Sequence, residues 1–289
     1  MFYYFLGNFP INLLYEVGQN MHLNKKIAFI GYGNMAQAIA HGVARAGLIN
    51  EADVLVIDVD TEKKELAKQA GFTVTENPAF EADIVIIATK PQQYADVITE
   101  IKDELRSDAI IVSIAAGLTI NTLENLLGRP VKLVRTMPNT PAMVGAGMTA
   151  IMPNSEMTTA DTQLIIDIFS SFGITEIVDE SLIEAVIVTS GSSPAYIYMM
   201  IEAMIQGGIA EGMNRQMATR FVTQAVLGAT MMVDQTDKLP NDLRDAVCSP
   251  NGTTIEAVKS LQANGFEQNI LTAMKACADR SRAMAKNEK

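Results

Sequence analysis

Short apolar runs alternate with amphipathic stretches along the chain from Lys26 onward. The apolar runs predict strands at Ile27–Ile30, Val54–Ile57, Thr73–Val74, Ile84–Ala88, Ile110–Ile114, Lys132–Arg135, Thr149–Met152 and Thr175–Val178. The amphipathic stretches predict helices at Asn34–Ala46, Thr61–Ala70, Tyr94–Leu105, Ile120–Leu127 and Thr159–Phe172. Apolar strands separated by helices are typical of a parallel sheet with both faces covered. We therefore expect an α/β domain here.

The chain changes character after Asp179. Residues 181–289 show no clear strand pattern, and the stretch Ala195–Ala210 contains a single charged residue, Glu202. A helix that is apolar on all sides is normally buried, and one subunit of this size offers few places to bury it. This all-α region is therefore predicted to pack against a second copy of itself.

The first twenty residues are aromatic and apolar but match no targeting signal. They lack the basic start of a signal peptide and the long apolar run of a membrane span. Their apolar character is interrupted by Gly7, Asn8, Pro10 and Glu16. We expect Met21, a few residues before the first strand, to be the natural start. Residues 1–20 are then a mis-assigned extension, or a loosely held tail.

Composition narrows the class of protein further. A hydrophobic fraction of 48% and a charged fraction of 19% are typical of a globular chain with a buried core. A net charge of −11 argues against nucleic-acid binding, because such a surface cannot neutralise phosphates. Cys248 and Cys277 show no metal-binding spacing and favour a reducing, cytoplasmic location. With only His22 and His41 near its start, the chain is expected to hold no metal and to work without a histidine base.

The segment from Gly31 to Ala36 follows the first predicted strand and opens the first predicted helix. It matches the G-x-G-x-x-G/A fingerprint in its proper context. In that motif Gly31 allows the tight turn, Gly33 lets a pyrophosphate approach the backbone, and Ala36 permits close helix–strand packing. The free N–H groups at the helix start attract the anion. The sequence therefore predicts a dinucleotide site.

The end of the second predicted strand bears on the choice of dinucleotide. Asp58 lies where an acidic residue accepts hydrogen bonds from the adenosine ribose hydroxyls, and it would repel a 2′-phosphate. Asp60 and Glu62 add to that repulsion, whereas Lys63 and Lys64 would attract the phosphate. The alternative is that these carboxylates serve only the turn and the helix start. Charge alone favours NADH over NADPH.

Five segments together resemble the pyrroline-5-carboxylate reductase family. The most specific is Leu243–Val258, which closely resembles the family signature. The others are similar to the family's remaining blocks, in the family's order: Ala88–Pro91, Ser113–Gly117, Arg135–Pro141 and Ser190–Tyr196. The resemblance spans Lys26 to about Ala285 and implies reduction of (S)-1-pyrroline-5-carboxylate to L-proline by NADH or NADPH, the last step of proline biosynthesis. It also implies a homodimer formed by the C-terminal helices and leaves a decamer open.

Pattern and resemblance together divide the chain into three regions. These are a tail at 1–23, an α/β Rossmann-type parallel-sheet domain at 24–180 that binds the dinucleotide, and an all-α dimerisation and substrate domain at 181–289. Two features depart from the family. Asn251 stands where the family usually has glycine, although Asn tolerates left-handed backbone angles. Asp58 and Asp60 stand where many members carry serine or threonine and prefer NADPH, which opposes the choice made from charge.

A predicted turn at Ser249–Thr254 leads into a helix at Ile255–Gln262. From the residues alone, capping of that helix by Thr253 or Thr254 is the favoured interpretation, although the free N–H groups could also hold a carboxylate. The family pattern favours the second. It implies that amides at Gly252, Thr253 and Thr254 bind the substrate carboxylate, with Ser249 and Asn251 in the same loop. It also implies that the catalytic hydroxyl of Thr254 approaches the ring nitrogen.

The resemblance also implies the cofactor contacts. Besides Gly31, Gly33, Ala36 and Asp58, these are Asn34 and Met35 in the glycine loop, Asn77 at the adenosine ribose, Ala88, Lys90, Pro91, Ala115 and Ala116 beside the cofactor, and Met137, Pro138 and Asn139 near the nicotinamide. Two structural alternatives to cofactor binding stay open: Lys90 could be a solvated strand end, and the turn Pro138–Pro141 could be purely structural. An iminium accepts hydride readily, so the site mainly has to bring the two reactants together.

Two other classes of protein are alternatives to an imine reductase. A β-hydroxyacid dehydrogenase has a similar two-domain plan but uses a catalytic lysine in its first C-terminal helix, and this chain has no lysine between Lys132 and Lys238. A non-catalytic dinucleotide-binding regulator would use its C-terminal half only to dimerise. The turn at Ser249–Thr254 argues against it, since a regulator has no need of a carboxylate site.

Overall fold

The computed structural model describes residues 22–76 and 81–287, with side chains described as far as residue 284. The predicted tail at 1–20 and Asn77 lie outside the described residues. Two compact units are present: the first covers the chain as far as Val186 together with the residues from Met284 onward, and the second covers Ile187–Ala283. Each unit has its own architecture.

The first unit is built on one eight-stranded sheet in the order β3-β2-β1-β4-β5-β6-β7-β8. Its strands are β1 (Ile27–Ile30), β2 (Val54–Ile57), β3 (Thr73–Val74), β4 (Ile84–Ile87), β5 (Ile110–Ser113), β6 (Lys132–Met137), β7 (Gly147–Pro153) and β8 (Gly173–Ile177). Neighbouring strands run parallel except β6 and β7. The order from β3 to β6 is that of the Rossmann fold, in which ligands bind outside the carboxyl ends of the strands.

Helices cover both faces of this sheet. They are α1 (Asn34–Arg45), α2 (Thr61–Gln69), α3 (Tyr94–Ile101), α4 (Ile120–Leu127), α5 (Thr159–Ser170) and the short α6 (Ile183–Val186). Along β1, Ile27 and Phe29 join one apolar cluster, whereas Ala28 and Ile30 join another on the opposite face. This alternation explains the continuous apolar runs, because a strand buried on both faces has no polar side.

All eight predicted strands and all five predicted helices of this unit are confirmed, with differences at their ends. The helix predicted at Tyr94–Leu105 ends at Ile101, and β6 extends two residues beyond Arg135. The prediction of a parallel-sheet domain is confirmed, with one exception at β7, which is antiparallel to β6. The connection at 138–146 contains only a short 3-10 turn, whereas a parallel crossover needs about a dozen residues or more.

The second unit is entirely helical in the part of the chain that the structure describes, as predicted. A π-helical turn at Ile187–Gly191 precedes α7 (Ser193–Ala210), α8 (Arg215–Asp234), α9 (Pro240–Val247), α10 (Thr253–Ala263) and α11 (Phe266–Asn287). No described helix is long and apolar enough to cross a bilayer. The buried apolar core of this unit is small, with Ile205, Ala218 and Val222 at its centre. Many large apolar side chains are exposed instead, among them Ile197, Tyr198, Met199, Met204, Met217, Phe221, Leu227, Met231 and Met232.

Candidate active site

The glycine loop follows β1 and leads into α1. Gly31 has φ +92°, and a Cβ there would lie 2.9 Å from the carbonyl carbon and oxygen of Ala88. Only glycine therefore fits this turn. A Cβ at Gly33 would instead meet no described protein atom within 4 Å, so space is open in front of the helix start. Ala36 is buried, as the fingerprint requires for close packing of α1 against the sheet.

The start of α1 has the character of an anion site. Its N-cap residue is Gly33, which has no side chain to accept the first N–H groups of the helix. The helices α2, α4, α5 and α8 are capped by the side chains of Asp60, Thr119, Thr158 and Asn214, whereas α3, α7 and α9 also have no side-chain cap. Uncapped N–H groups at a helix start, with open space before them, suit a phosphate group. Asn34 is exposed here, whereas the side chain of Met35 packs against the core.

Asp58 is buried at the carboxyl end of β2 and holds the glycine loop in place. Its Oδ2 accepts the N–H of Tyr32 at 2.6 Å, its Oδ1 accepts the N–H of Asp60 at 2.9 Å, and Lys63 Nζ lies 3.6 Å from Oδ2. Asp60 in turn caps α2 by accepting the N–H of Glu62 at 2.9 Å. Asp60 therefore has the structural function that the alternative assigns to it, as the N-cap of α2. Asp58 also has a structural function, although each carboxylate oxygen can accept more than one hydrogen bond.

Three predicted cofactor segments follow the adjacent parallel strands β4, β5 and β6. Ala88 donates its N–H to the carbonyl of Ile30 at 2.8 Å, which keeps the end of β4 beside the glycine loop. Lys90 is exposed at the start of a 3-10 turn whose first residue is Pro91, as the strand-end alternative expects. Ala115 and Ala116 follow β5 directly. These residues therefore share the sheet edge at which the fold binds ligands.

The segment after β6 has a clear structural function. Asn139 is buried, and its Oδ1 accepts the N–H of Met148 at 2.9 Å. This bond joins the end of β6 to the beginning of β7 and supports the structural alternative for this turn. Pro138 is buried as well, whereas Met137 is half-buried at the end of β6. A cofactor contact from this segment is best provided by Met137 or by backbone atoms.

A buried hydroxyl pair behind these segments was missed in the sequence. The hydroxyl of Tyr94 donates to the carbonyl of Ile87, and Ser113 Oγ donates to Tyr94 Oη at 3.2 Å. Ser113 Oγ also accepts the N–H of Ala115 at 3.3 Å. Burial raises the pKa of Tyr94 to about 12, so its hydroxyl stays protonated and remains a donor. A serine at the end of an otherwise apolar strand was the available signal.

The predicted substrate turn lies at the start of α10. Ser249 accepts the N–H of Gly252 with its carbonyl at 3.0 Å, which closes a tight turn. Asn251 has φ +58° and is the one non-glycine residue with positive φ among those described, as expected from its place in the family pattern. A Cβ at Gly252 would lie 2.8 Å from Ser249 Oγ, which can rotate away, and 3.0 Å from the Ser249 carbonyl oxygen, so a side chain there would be crowded. The turn thus has a single tightly defined shape.

The capping interpretation of Thr253 and Thr254 is wrong. α10 begins at Thr253, two residues earlier than predicted, and its N-cap residue is Gly252. Gly252 has no side chain with which to cap the helix start. Because Thr253 and Thr254 occupy the first two helical positions, their hydroxyls cannot cap from outside. The first N–H groups of α10 and the hydroxyl of half-buried Thr254 remain available to a ligand.

No group of three or more His, Cys, Asp or Glu that could hold a metal ion was found in residues 22–76 and 81–287. The candidate groups are therefore two helix starts, one in each unit, together with hydroxyls and backbone amides. A helix start preceded by a glycine loop, directly after β1 of a Rossmann sheet, is the usual binding site for a dinucleotide pyrophosphate. Fold and site thus define a dinucleotide-binding oxidoreductase.

Comparison with known proteins narrows this class. Residues 180–284 match the family described as pyrroline-5-carboxylate reductase dimerisation, and residues 26–117 match that of NADP oxidoreductase, coenzyme F420-dependent. Pyrroline-5-carboxylate reductase of Escherichia coli K12 is 42% identical over 92% of this chain and 100% of its own length. The Methanosarcina acetivorans protein of that name is 38% identical over 91% of this chain and 99% of its own length.

A solved structure shows the same likeness. The Plasmodium falciparum pyrroline carboxylate reductase with NADP bound superposes with a TM-score of 0.85 at 32% identity, covering 91% of this chain and 99% of its own. This chain therefore belongs to the pyrroline-5-carboxylate reductase family of NAD(P)H-dependent oxidoreductases, which form proline. The prediction of family, fold class and activity is confirmed.

Substitution of the two loop glycines should have different effects on stability and on dinucleotide affinity. Gly31→Ala places a Cβ against the backbone of Ala88 and should lower the thermal midpoint as well as dinucleotide affinity. Gly33→Ala meets open space, so the midpoint should change little while NADPH affinity falls by about tenfold or more, because the methyl group occupies the anion's position. Calorimetric titration with NADPH and thermal unfolding measure both effects. Unchanged affinity in Gly33→Ala would contradict the placement of the pyrophosphate.

Proposed function

We propose that two helix starts hold the two reactants of proline formation. The uncapped start of α1 binds the pyrophosphate of NADH or NADPH, and the uncapped start of α10 binds the carboxylate of 1-pyrroline-5-carboxylate. The single observation that supports the substrate site best is the shape of the turn before α10. The N-cap residue of that helix is Gly252, which has no side chain to cap it. Asn251 adopts the left-handed backbone conformation that the family's glycine would adopt.

The chain's own residues provide binding and orientation rather than strong acid–base chemistry. Reduced nicotinamide, when bound, would supply the hydride that forms the new C–H bond at the imine carbon, while a proton taken up from solvent at the ring nitrogen provides the N–H bond of proline. The amides of Gly252, Thr253 and Thr254 orient the substrate through its carboxylate. The Thr254 hydroxyl hydrogen-bonds to the ring nitrogen, where the basicity changes during the reaction. Placing two reactants at near-attack distance can lower the barrier by several kcal/mol.

Thr254→Ala should lower kcat by about tenfold to a hundredfold, the worth of one positioned polar group in the transition state. NADPH affinity should stay within about twofold, because the Thr254 hydroxyl is proposed to bind the substrate and not the nucleotide. Thr254→Ser retains the hydroxyl and should recover most of the rate. Thr253→Ala is the matched control, since it removes the neighbouring exposed hydroxyl from the same helix turn. Equal rates for Thr254→Ala and wild type would leave Thr254 without a catalytic function.

The choice between NADH and NADPH depends on charge near the adenosine ribose. We propose a preference for NADH, because Asp58, Asp60 and Glu62 lie together at the end of β2 and the start of α2. Lys63 offsets part of that negative charge through its ion pair with Asp58. Asp60 remains exposed, and its charge faces solvent where a 2′-phosphate would approach.

Asp60→Asn tests this preference without disturbing the helix start, because Asn caps as well as Asp. The ratio of kcat/KM for NADPH to that for NADH should rise by about three- to tenfold, as expected for removing one partly screened charge. Glu65→Gln, which removes an exposed carboxylate one turn later on the same helix, is the control. A wild-type enzyme that clearly favours NADPH would refute the repulsion assigned to these carboxylates.

The exposed apolar side chains of α7 and α8 are proposed to form a homodimer interface with the same helices of a second copy. The match of residues 180–284 to a dimerisation family supports this assignment. By analogy with the family, we propose a ring of dimers, a decamer, as the larger assembly.

We also propose a reducing, cytoplasmic location, which suits the free thiols of Cys248 and Cys277.

Light scattering should give at least twice the chain mass of 31.3 kDa. Phe221→Asp, at a 63% exposed position on α8, should lower that mass or cause aggregation. Leu66→Asp, which changes a 44% exposed leucine on α2, should not. A wild-type monomer would contradict the dimer.

A further inference from the structure

One partly buried ion pair in the first unit has no assigned role in the site described so far. Arg135 on β6 is 2% exposed, and its Nη1 donates to Oε1 of Glu180 at 2.7 Å. Burying a charge is unfavourable unless it is paired, and well-packed apolar residues often stabilise a fold equally well. Arg135 Nε has no hydrogen-bond partner within the described part of the chain, so the guanidinium depends strongly on Glu180.

The same carboxylate oxygen has a second donor. Oε1 of Glu180 accepts the backbone N–H of Ile120, the first residue of α4, at 2.8 Å. The cap residue of that helix, Thr119, already accepts the N–H of Thr122 with its hydroxyl at 3.1 Å. Glu180 therefore satisfies a further N–H of α4 and joins this helix start to β6. One carboxylate thus connects the start of α4 to β6 from a position 60 residues beyond Ile120 and 45 residues beyond Arg135.

Both connected points support segments of the candidate cofactor site. The loop containing 115–116 runs from β5 to α4 and ends at Ile120, and the segment 137–139 follows Arg135 almost directly. β5 and β6 are adjacent and parallel, so both segments leave the sheet at the same edge. In this fold that edge binds the ligand. A change in the bonds to Glu180 would therefore alter the spacing between the two segments.

We propose that Glu180 is a positioning residue that sets this spacing and so orients the nicotinamide end of the bound cofactor. The proposal rests on the cofactor site proposed above. Glu180 acts through Arg135 and Ile120 and contacts no reacting atom. The adenosine and pyrophosphate end is held separately, by the glycine loop after β1. Loss of Glu180 should therefore affect the two ends of the dinucleotide unequally.

Two probes separate these ends. NADH contains the nicotinamide ring, whereas ADP-ribose has the same adenosine and pyrophosphate but lacks that ring. For Glu180→Gln, the dissociation constant of NADH should rise by about three- to tenfold, the worth of one misplaced hydrogen-bonded group. The dissociation constant of ADP-ribose should stay within about twofold. kcat should fall by about ten- to a hundredfold, as expected when a reacting group is misplaced. Glu176→Gln, the same substitution at an exposed position on β8, is the matched control and should change none of these values.

A second variant guards against misfolding, because Glu180→Gln leaves the charge of Arg135 uncompensated. Arg135→Met combined with Glu180→Gln removes both charges while the glutamine oxygen can still accept the N–H of Ile120. The double variant should unfold at a temperature close to that of wild type and should show the same selective loss of NADH affinity.

Three results would overturn the proposal. Equal weakening of NADH and ADP-ribose would mean that Glu180 supports the whole domain, and so would a double variant that cannot be obtained folded. Unchanged NADH affinity and kcat would mean that the pair does not affect the nicotinamide. Wild-type protein that binds neither probe would instead remove the cofactor site itself, and the positioning role with it.

Discussion

Backbone N–H groups at the start of a helix need an acceptor, and an N-cap glycine has no side chain to provide one. The N-cap residue is Gly33 in α1 and Gly252 in α10. In both cases the preceding turn contains a residue with a left-handed backbone, namely Gly31 and Asn251. We propose that ligands supply the acceptors, a pyrophosphate at one helix start and a carboxylate at the other. Hydride transfer to an imine mainly requires that both reactants are held in place, which the two helix starts and a few hydroxyl groups can do.

Much of this could be predicted from the sequence, because the responsible features are local. Strands such as Ile84–Ile87 are buried on both faces, so they are apolar throughout and easily recognised. The glycine loop has a fixed spacing because backbone must approach backbone, as the contact of Gly31 with Ala88 shows. Asn251 could be assigned a left-handed conformation because it stands where the family has glycine. The fold class followed from these patterns, whereas family and activity followed from the resemblance of Leu243–Val258 and four other segments, and all three predictions are confirmed.

The remaining features depend on contacts between distant residues. The start of α10 is set two residues early by the turn between Ser249 and Gly252, so the threonines are not caps. Asp58 was predicted to accept hydrogen bonds from the adenosine ribose. Its carboxylate also accepts the N–H of Tyr32 in the glycine loop, which is distant in sequence. The ion pair of Arg135 with Glu180 joins positions 45 residues apart, and only the charge inside an apolar strand hinted at it. The orientation of β7 likewise depends on the length of its connection.

Steady-state turnover of the purified protein with synthetic 1-pyrroline-5-carboxylate tests the central claim most directly. Absorbance of the reduced nicotinamide should fall with NADH or NADPH, and proline should appear in equal amount, because one hydride is consumed for each imine reduced. Omitting the imine should abolish the change. Absence of proline formation with both nucleotides, in protein that is folded and oligomeric, would contradict the assignment of the two helix starts to a dinucleotide and an imine carboxylate.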